Sequence, residues 1–170
     1  MAHDTSHDPT APGEQVAFSP ENETRFRAIL ERYPNRRAAL IPVLHLAQEQ
    51  FGWLPPSVMA WVAGRLELPE SKVLQVASFY TMFDKQPVGR YKLEVCTSIP
   101  CCMMGGYGVV RHLCQRLGIE PGETTPDGRF TLLEAECLAG CGHAPLMQVN
   151  GEFHENLTET AIDELLRRLP

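Results

Sequence analysis

Four cysteines set in two tight pairs are the residues of this chain best suited to chemistry. One pair lies in Cys96-Thr-Ser-Ile-Pro-Cys101 and the other in Cys137-Leu-Ala-Gly-Cys141. Thiolates are soft ligands, and four of them gathered at one place form the usual ligand set of a 2Fe–2S cluster. Such a centre moves one electron at a time. The pattern therefore predicts an electron relay, with no residue required to act as acid, base or nucleophile on a substrate.

Other readings of the same thiols compete. A Cys₄ zinc site is one, but its pairs usually follow C-x₂-C, a shorter spacing than either pair here. A thioredoxin-like redox disulfide also wants C-x-x-C, which this pattern lacks. Disulfides linking the pairs are a further alternative in an oxidised sample. Cys102 directly follows Cys101, and only one of two neighbours can easily face the same iron; the tighter loop favours Cys101. Cys114 falls on the apolar face of a predicted helix beside Val110 and Leu117, where it reads as a small core residue. His143 stands two residues after Cys141. A Rieske centre uses two histidines, and none accompanies the first pair, so His143 reads as a surface residue or a neighbour of the ligands. His45, inside an apolar helix, is expected in the core, and His3 and His7 in a mobile tail.

The elements that must position the pairs follow from periodicity. Tyr91–Val95 alternates as a strand that ends at Cys96, and 130–135 is a strand that leads into Cys137. Each pair is thus expected in a loop at a strand end, where sites gather in α/β folds. Gly105, Gly106, Gly140 and Gly142 allow the backbone to approach a bulky inorganic core and aim amide N–H groups at sulfur. Between the strands a helix is predicted over about 103–117, stopped by Gly118, and its start near Cys101 favours a thiolate. A strand over 146–149, the hairpin signal Asn150-Gly151, and a helix over about 159–169 complete this half.

The first half reads as helices: one opened by Ser19-Pro20-Glu21, one over 35–51 with Pro42 kinking it or marking its first turns, and two opened by Pro55-Pro56 and Pro69-Glu70. The segment 79–83 is aromatic and reads as a short strand or extended piece. Of Phe51, Trp53, Trp61, Phe79, Tyr80 and Phe83, most are expected in the core, with a partner surface as the rival role. The expected organisation is a disordered tail over 1–18, a helical domain over 19–86 and an α/β domain over 87–170, α+β overall.

Composition narrows the function classes. The net charge of −6 over 170 residues, with no basic stripe, argues against nucleic acid as a partner. No apolar run is long enough to cross a bilayer, and the first residues lack a basic-then-apolar export signal. Six cysteines without that signal point to the reducing cytosol, where paired cysteines bind metal or do redox work. The expected location is the cytoplasm, or the cytoplasmic face of the inner membrane as part of a complex. No Gly-rich dinucleotide fingerprint is present.

Several segments carry a family resemblance: Leu40-Ile-Pro-Val-Leu-His-Leu-Ala-Gln48, Phe51-Gly-Trp-Leu54, Val76-Ala-Ser-Phe-Tyr-Thr-Met-Phe83, Val95-Cys96 with Cys101, Thr125-Pro-Asp-Gly-Arg-Phe-Thr-Leu132 and Cys137-Leu-Ala-Gly-Cys-Gly142. Together they make nearly everything after the tail resemble the thioredoxin-like 2Fe–2S subunits of respiratory complex I, the NADH-quinone oxidoreductase. Subunits of NAD-linked hydrogenases and formate dehydrogenases belong to the same family and supply the alternative reading, with a zinc module behind them. The resemblance implies a thioredoxin-like 2Fe–2S ferredoxin domain after a helical bundle, and cluster ligands at Cys96, Cys101, Cys137 and Cys141. It further implies a partner flavoprotein that binds FMN and NADH and is gripped by the helical part. Other peripheral-arm subunits follow, with the membrane reached only through the assembled complex. Flavin receives two electrons together from NADH, and the resemblance implies that this cluster exchanges single electrons with it, off the main path to quinone. The chain departs from the family at Cys102, an extra thiol, and at Met104-Gly105-Gly106, which lacks a common basic residue.

Overall fold

A computed structural model describes residues 16–169; residues 1–15 of the tail expected over 1–18, with His3 and His7, lie outside the described residues. The chain parts between Pro87 and Val88 into two units.

In the first unit, local signals start and stop four helices. Ser19 Oγ accepts from Asn22 N at 3.2 Å and caps α1 (Pro20–Arg32), whose first turn carries Glu21 and Glu23 near the positive helix end. α2 (Leu40–Phe51) starts five residues later than predicted, because Asn35 Oδ1 accepts from Ala38 N and closes a separate turn. Pro42 consequently sits in the first turn, where its missing N–H costs no helical bond. Gly52, at φ +78°, ends α2. α3 (Pro56–Leu66) and α4 (Glu70–Phe79) follow. Their apolar stripes meet in one core containing Phe26, Leu44, Val58, Leu66, Val73 and Phe83. Val16 and Phe18, expected in the tail, pack on this core, and Phe18 meets the Trp61 ring edge-on at 4.6 Å.

Two expectations fail here. The segment 79–83 is not a strand: Phe79 closes α4 and a turn follows. The described part of this unit offers it no strand to pair with. Instead Phe83 is driven into the core, and the Gln48 carboxamide holds the turn by donating to Met82 O and accepting from Asp84 N. His45 is exposed, its ring 4.9 Å from that of Phe83. An apolar run still has an outer face once coiled at 100° per residue, and His45 falls on it.

The second unit is a mixed four-stranded sheet with helices packed on it. β1 (Tyr91–Cys96) runs parallel to β2 (Phe130–Ala135) on one side and antiparallel to β3 (Met147–Val149) on the other, with β4 (Glu152–His154) at the edge. Parallel neighbours need a crossover, supplied here by α5 (Ile99–Met103) and α6 (Gly106–Leu117). The helix predicted over 103–117 begins at Gly106, after Gly105 at φ +99°, and α5, before it, is not predicted. Asn150 and Gly151 both take positive φ, as a two-residue hairpin demands. Alternation buries Tyr91, Leu93 and Val95 under Val110 and Leu113 of α6 and Ile162 of α7 (Glu159–Arg168).

α6 and α7 are clasped by Asp163, which accepts from His112 Nε2 at 2.9 Å and Arg116 Nε at 2.8 Å. The bond to His112, reinforced by the charge of Arg116, holds the Asp163 carboxyl below the usual carboxylate range. A depressed carboxyl stabilises the fold above its unfolded pKa of about 4, and that contribution disappears as acid carries the pH down through the folded value. Asp163→Asn is expected to lower Tm near neutrality, with the gap to the parent closing under strong acid. A pH series of melting curves checks this.

Candidate metal centre

The parallel register sets Cys96 opposite Ala135, so the segments that carry the two cysteine pairs leave the sheet side by side. Thr97 N donates to Ala135 O at 2.9 Å and continues the pairing beyond the strands. This is the strand-end placement that periodicity predicts.

The first pair is assembled. Cys96 is the last residue of β1, not a loop residue, and Cys101 lies inside the short helix α5; both are buried in one cluster. They share a small apolar cluster with Ala144 and Leu146, against which Leu138 packs. Leu138 follows Cys137, so the second pair's loop is anchored on the first pair. Burial works against a Cys96 thiolate, but the Ser98 hydroxyl, the Leu138 amide and the Cys101 thiol outweigh it and lower the Cys96 pKa. Burial, together with the neighbouring Cys96, pushes the Cys101 thiol up.

Cys102 is separated from this pair by its geometry. It is only half-buried, and its thiol donates to Thr97 O at 3.0 Å. Helical geometry explains the split, since successive side chains of α5 diverge by about 100°. Cys114 is half-buried against the sheet core, where burial raises its thiol pKa. His143 is exposed and lies 3.7 Å from Glu155.

The second pair is open. Cys137 and Cys141 are exposed, with Cys141 opening a single 3₁₀ turn that ends at His143. The Ala139 amide donates to Cys137 Sγ at 3.3 Å. Among the described residues no three His, Cys, Asp or Glu side chains are drawn together as a metal would hold them. All six cysteines are free thiols. The structure therefore joins Cys96 with Cys101 and brings the second loop's backbone alongside, but does not gather the four sulfurs.

The donor chemistry suits an iron–sulfur group. Four thiols are available, and the Ala139 N–H is directed at Cys137 sulfur, as an anionic core requires. Gly106 is required by close approach: a Cβ there would lie 2.9 Å from Cys101 O and 3.0 Å from Cys96 O. Sequence reading found the cysteines and the glycines but missed the roles of Leu138, Leu146 and Ser98. A leucine amide carries no pattern of its own, and Ser98 before Ile99-Pro100 reads as a helix cap.

Comparison with known proteins agrees with this chemistry. A profile described as "Thioredoxin-like [2Fe-2S] ferredoxin" matches residues 26–170. The chain is 39% identical over 155 residues to the E subunit of NADH-quinone oxidoreductase from Rickettsia prowazekii (strain Madrid E), covering 89% of this chain and 88% of the relative. It is 44% identical over 139 residues to the second E subunit of NADH-quinone oxidoreductase from Rhizobium meliloti (strain 1021), covering 82% and 83%. Among solved structures, an NAD+-reducing [NiFe]-hydrogenase in the air-oxidized state superposes with a TM-score of 0.69 at 27% identity. That match covers 76% of this chain but only 22% of the much longer hydrogenase chain. Paired cysteines at adjoining strand ends, an amide turned toward sulfur and a profile that spans both units place this chain in the thioredoxin-like [2Fe–2S] ferredoxin family.

Proposed function

We propose that this chain is the iron–sulfur electron-transfer subunit of an NADH:quinone oxidoreductase, complex I, with Cys96, Cys101, Cys137 and Cys141 as ligands of one 2Fe–2S cluster. The observation that carries the reading is the assembled Cys96–Cys101 pair with the second pair's loop packed on it through Leu138. It is supported by the near-complete overlap with subunits of that oxidoreductase.

When bound, the cluster supplies a centre that takes up and releases one electron. The chain's own residues hold it: β1 and α5 present two thiols from a dry pocket, and the loop after β2 brings the other two from the solvent side. FMN and NADH belong to a partner flavoprotein, and the remaining peripheral-arm subunits complete the assembly. Ile99 and Met103, about four-fifths exposed at 78% and 82%, flank the Cys101 segment and offer that partner an apolar surface beside the sulfurs. Among the described residues no helix is long and apolar enough to cross a membrane.

Iron and acid-labile sulfide analysis of the purified chain, with paramagnetic resonance after reduction, tests the reading. Two irons and two sulfides per chain with a signal on reduction are expected. A colourless, silent protein that holds zinc would refute it. Co-purification with membrane-bound, quinone-reducing subunits, against co-purification with a hydrogenase or formate dehydrogenase catalytic subunit, decides the parent complex.

A further inference from the structure

Ser98 occupies the N-cap position of α5, with the extended backbone that a cap needs and proline at the start of the helix. A serine there ordinarily accepts from a free amide of the first turn. This one makes no such bond. Its Oγ lies instead 3.2 Å from Cys96 Sγ. The two other N-cap residues with a side-chain hydroxyl, Ser19 and Thr158, both accept from amides of their helices. Ser98 departs from them at an α-helix that carries a candidate ligand, Cys101.

We propose that Ser98 is a positioning residue that sets the reduction potential of the cluster by donating its hydroxyl hydrogen to cysteine sulfur. The inference rests on the 2Fe–2S reading above. A metal-bound thiolate has no proton to give, so the hydroxyl can only donate, whichever atom donates when the thiol is protonated. Reduction adds one negative charge to the cluster. A donor at 3.2 Å stabilises the more negative state more strongly and raises the potential. Cys96 and Cys101 are buried, so water does not screen the effect as it would at an open site.

The test compares the full chain with Ser98→Ala and with the isosteric pair Ser98→Thr and Ser98→Val. Midpoint potentials are read by redox titration of the cluster's optical and paramagnetic signals, alongside iron content and Tm. A shift to more negative potential in the Ala and Val variants, with Thr close to the parent and iron content equal, is the expected result. Thr and Val differ in the hydroxyl but hardly in shape, so they decide the question even if the Ala variant loads poorly. Equal potentials for Thr and Val at full iron content would overturn the proposal and leave the iron–sulfur reading intact. A residue that served only to cap α5 would move Tm and not the potential. Absence of iron from the parent protein would instead defeat the functional reading on which the inference stands.

Discussion

Cys96→Ser and Cys137→Ser are each expected to strip the purified chain of most of its iron, while Cys114→Ser keeps the full complement. The first substitution replaces a buried thiol in the same cluster as Cys101, and an alcohol there is a poor ligand for iron. The second removes an exposed thiol that the fold does not need, so iron loss without a fall in apo-protein stability isolates ligation from folding. Cys114 lies among the sheet-packing side chains, away from both pairs. Cys102→Ser should also retain iron, because that thiol is committed to Thr97 O. Iron and sulfide assays on the four variants, with melting curves of the apo forms, check the assignment. Full iron in Cys137→Ser, or its loss in Cys114→Ser alone, would break it.

The second large effect is expected from a single methyl group. Gly106→Ala places a Cβ 2.9 Å from Cys101 O and 3.0 Å from both Cys101 C and Cys96 O. All three are backbone atoms, so no side chain can swing aside. Either α6 shifts or the cysteine pair does, at a cost of about 1–3 kcal/mol for overpacking of this kind. The same substitution at Gly108, one half-turn on, meets nothing within 4 Å and should gain up to about 1 kcal/mol from helix propensity. Chemical denaturation of both variants reads the contrast, and reduced iron loading in Gly106→Ala alone would show that the strain reaches the ligands. Equal stability of the two would mean that α6 does not press on the pair.

These contrasts mark how far the linear pattern could be read. The hairpin at Asn150-Gly151, the strand before each cysteine pair, the stop at Gly118 and the four helices of the first unit rest on local backbone preferences, which neighbours along the chain carry. Boundaries were less legible where one residue redirected the chain. Asn35 closes its own turn and delays α2, and Gly105 delays the start of α6 to Gly106. His45 and 79–83 misled for a related reason: apolar neighbours in sequence do not say which face points inward, nor that a strand has a partner.

For the site, residue types and spacing were enough to mark four thiols, a preference for Cys101 over Cys102 and the glycines around them, because ligand chemistry belongs to the side chain itself. Only the folded chain decided that Cys101 turns to Cys96 while Cys102 turns to Thr97, that Leu138 pins one loop on the other pair, and that Ser98 gives up its helix cap for sulfur. Direction and distance between residues far apart in sequence arise from packing, where β1 and β2 lie side by side across two intervening helices, and one-dimensional spacing does not encode them.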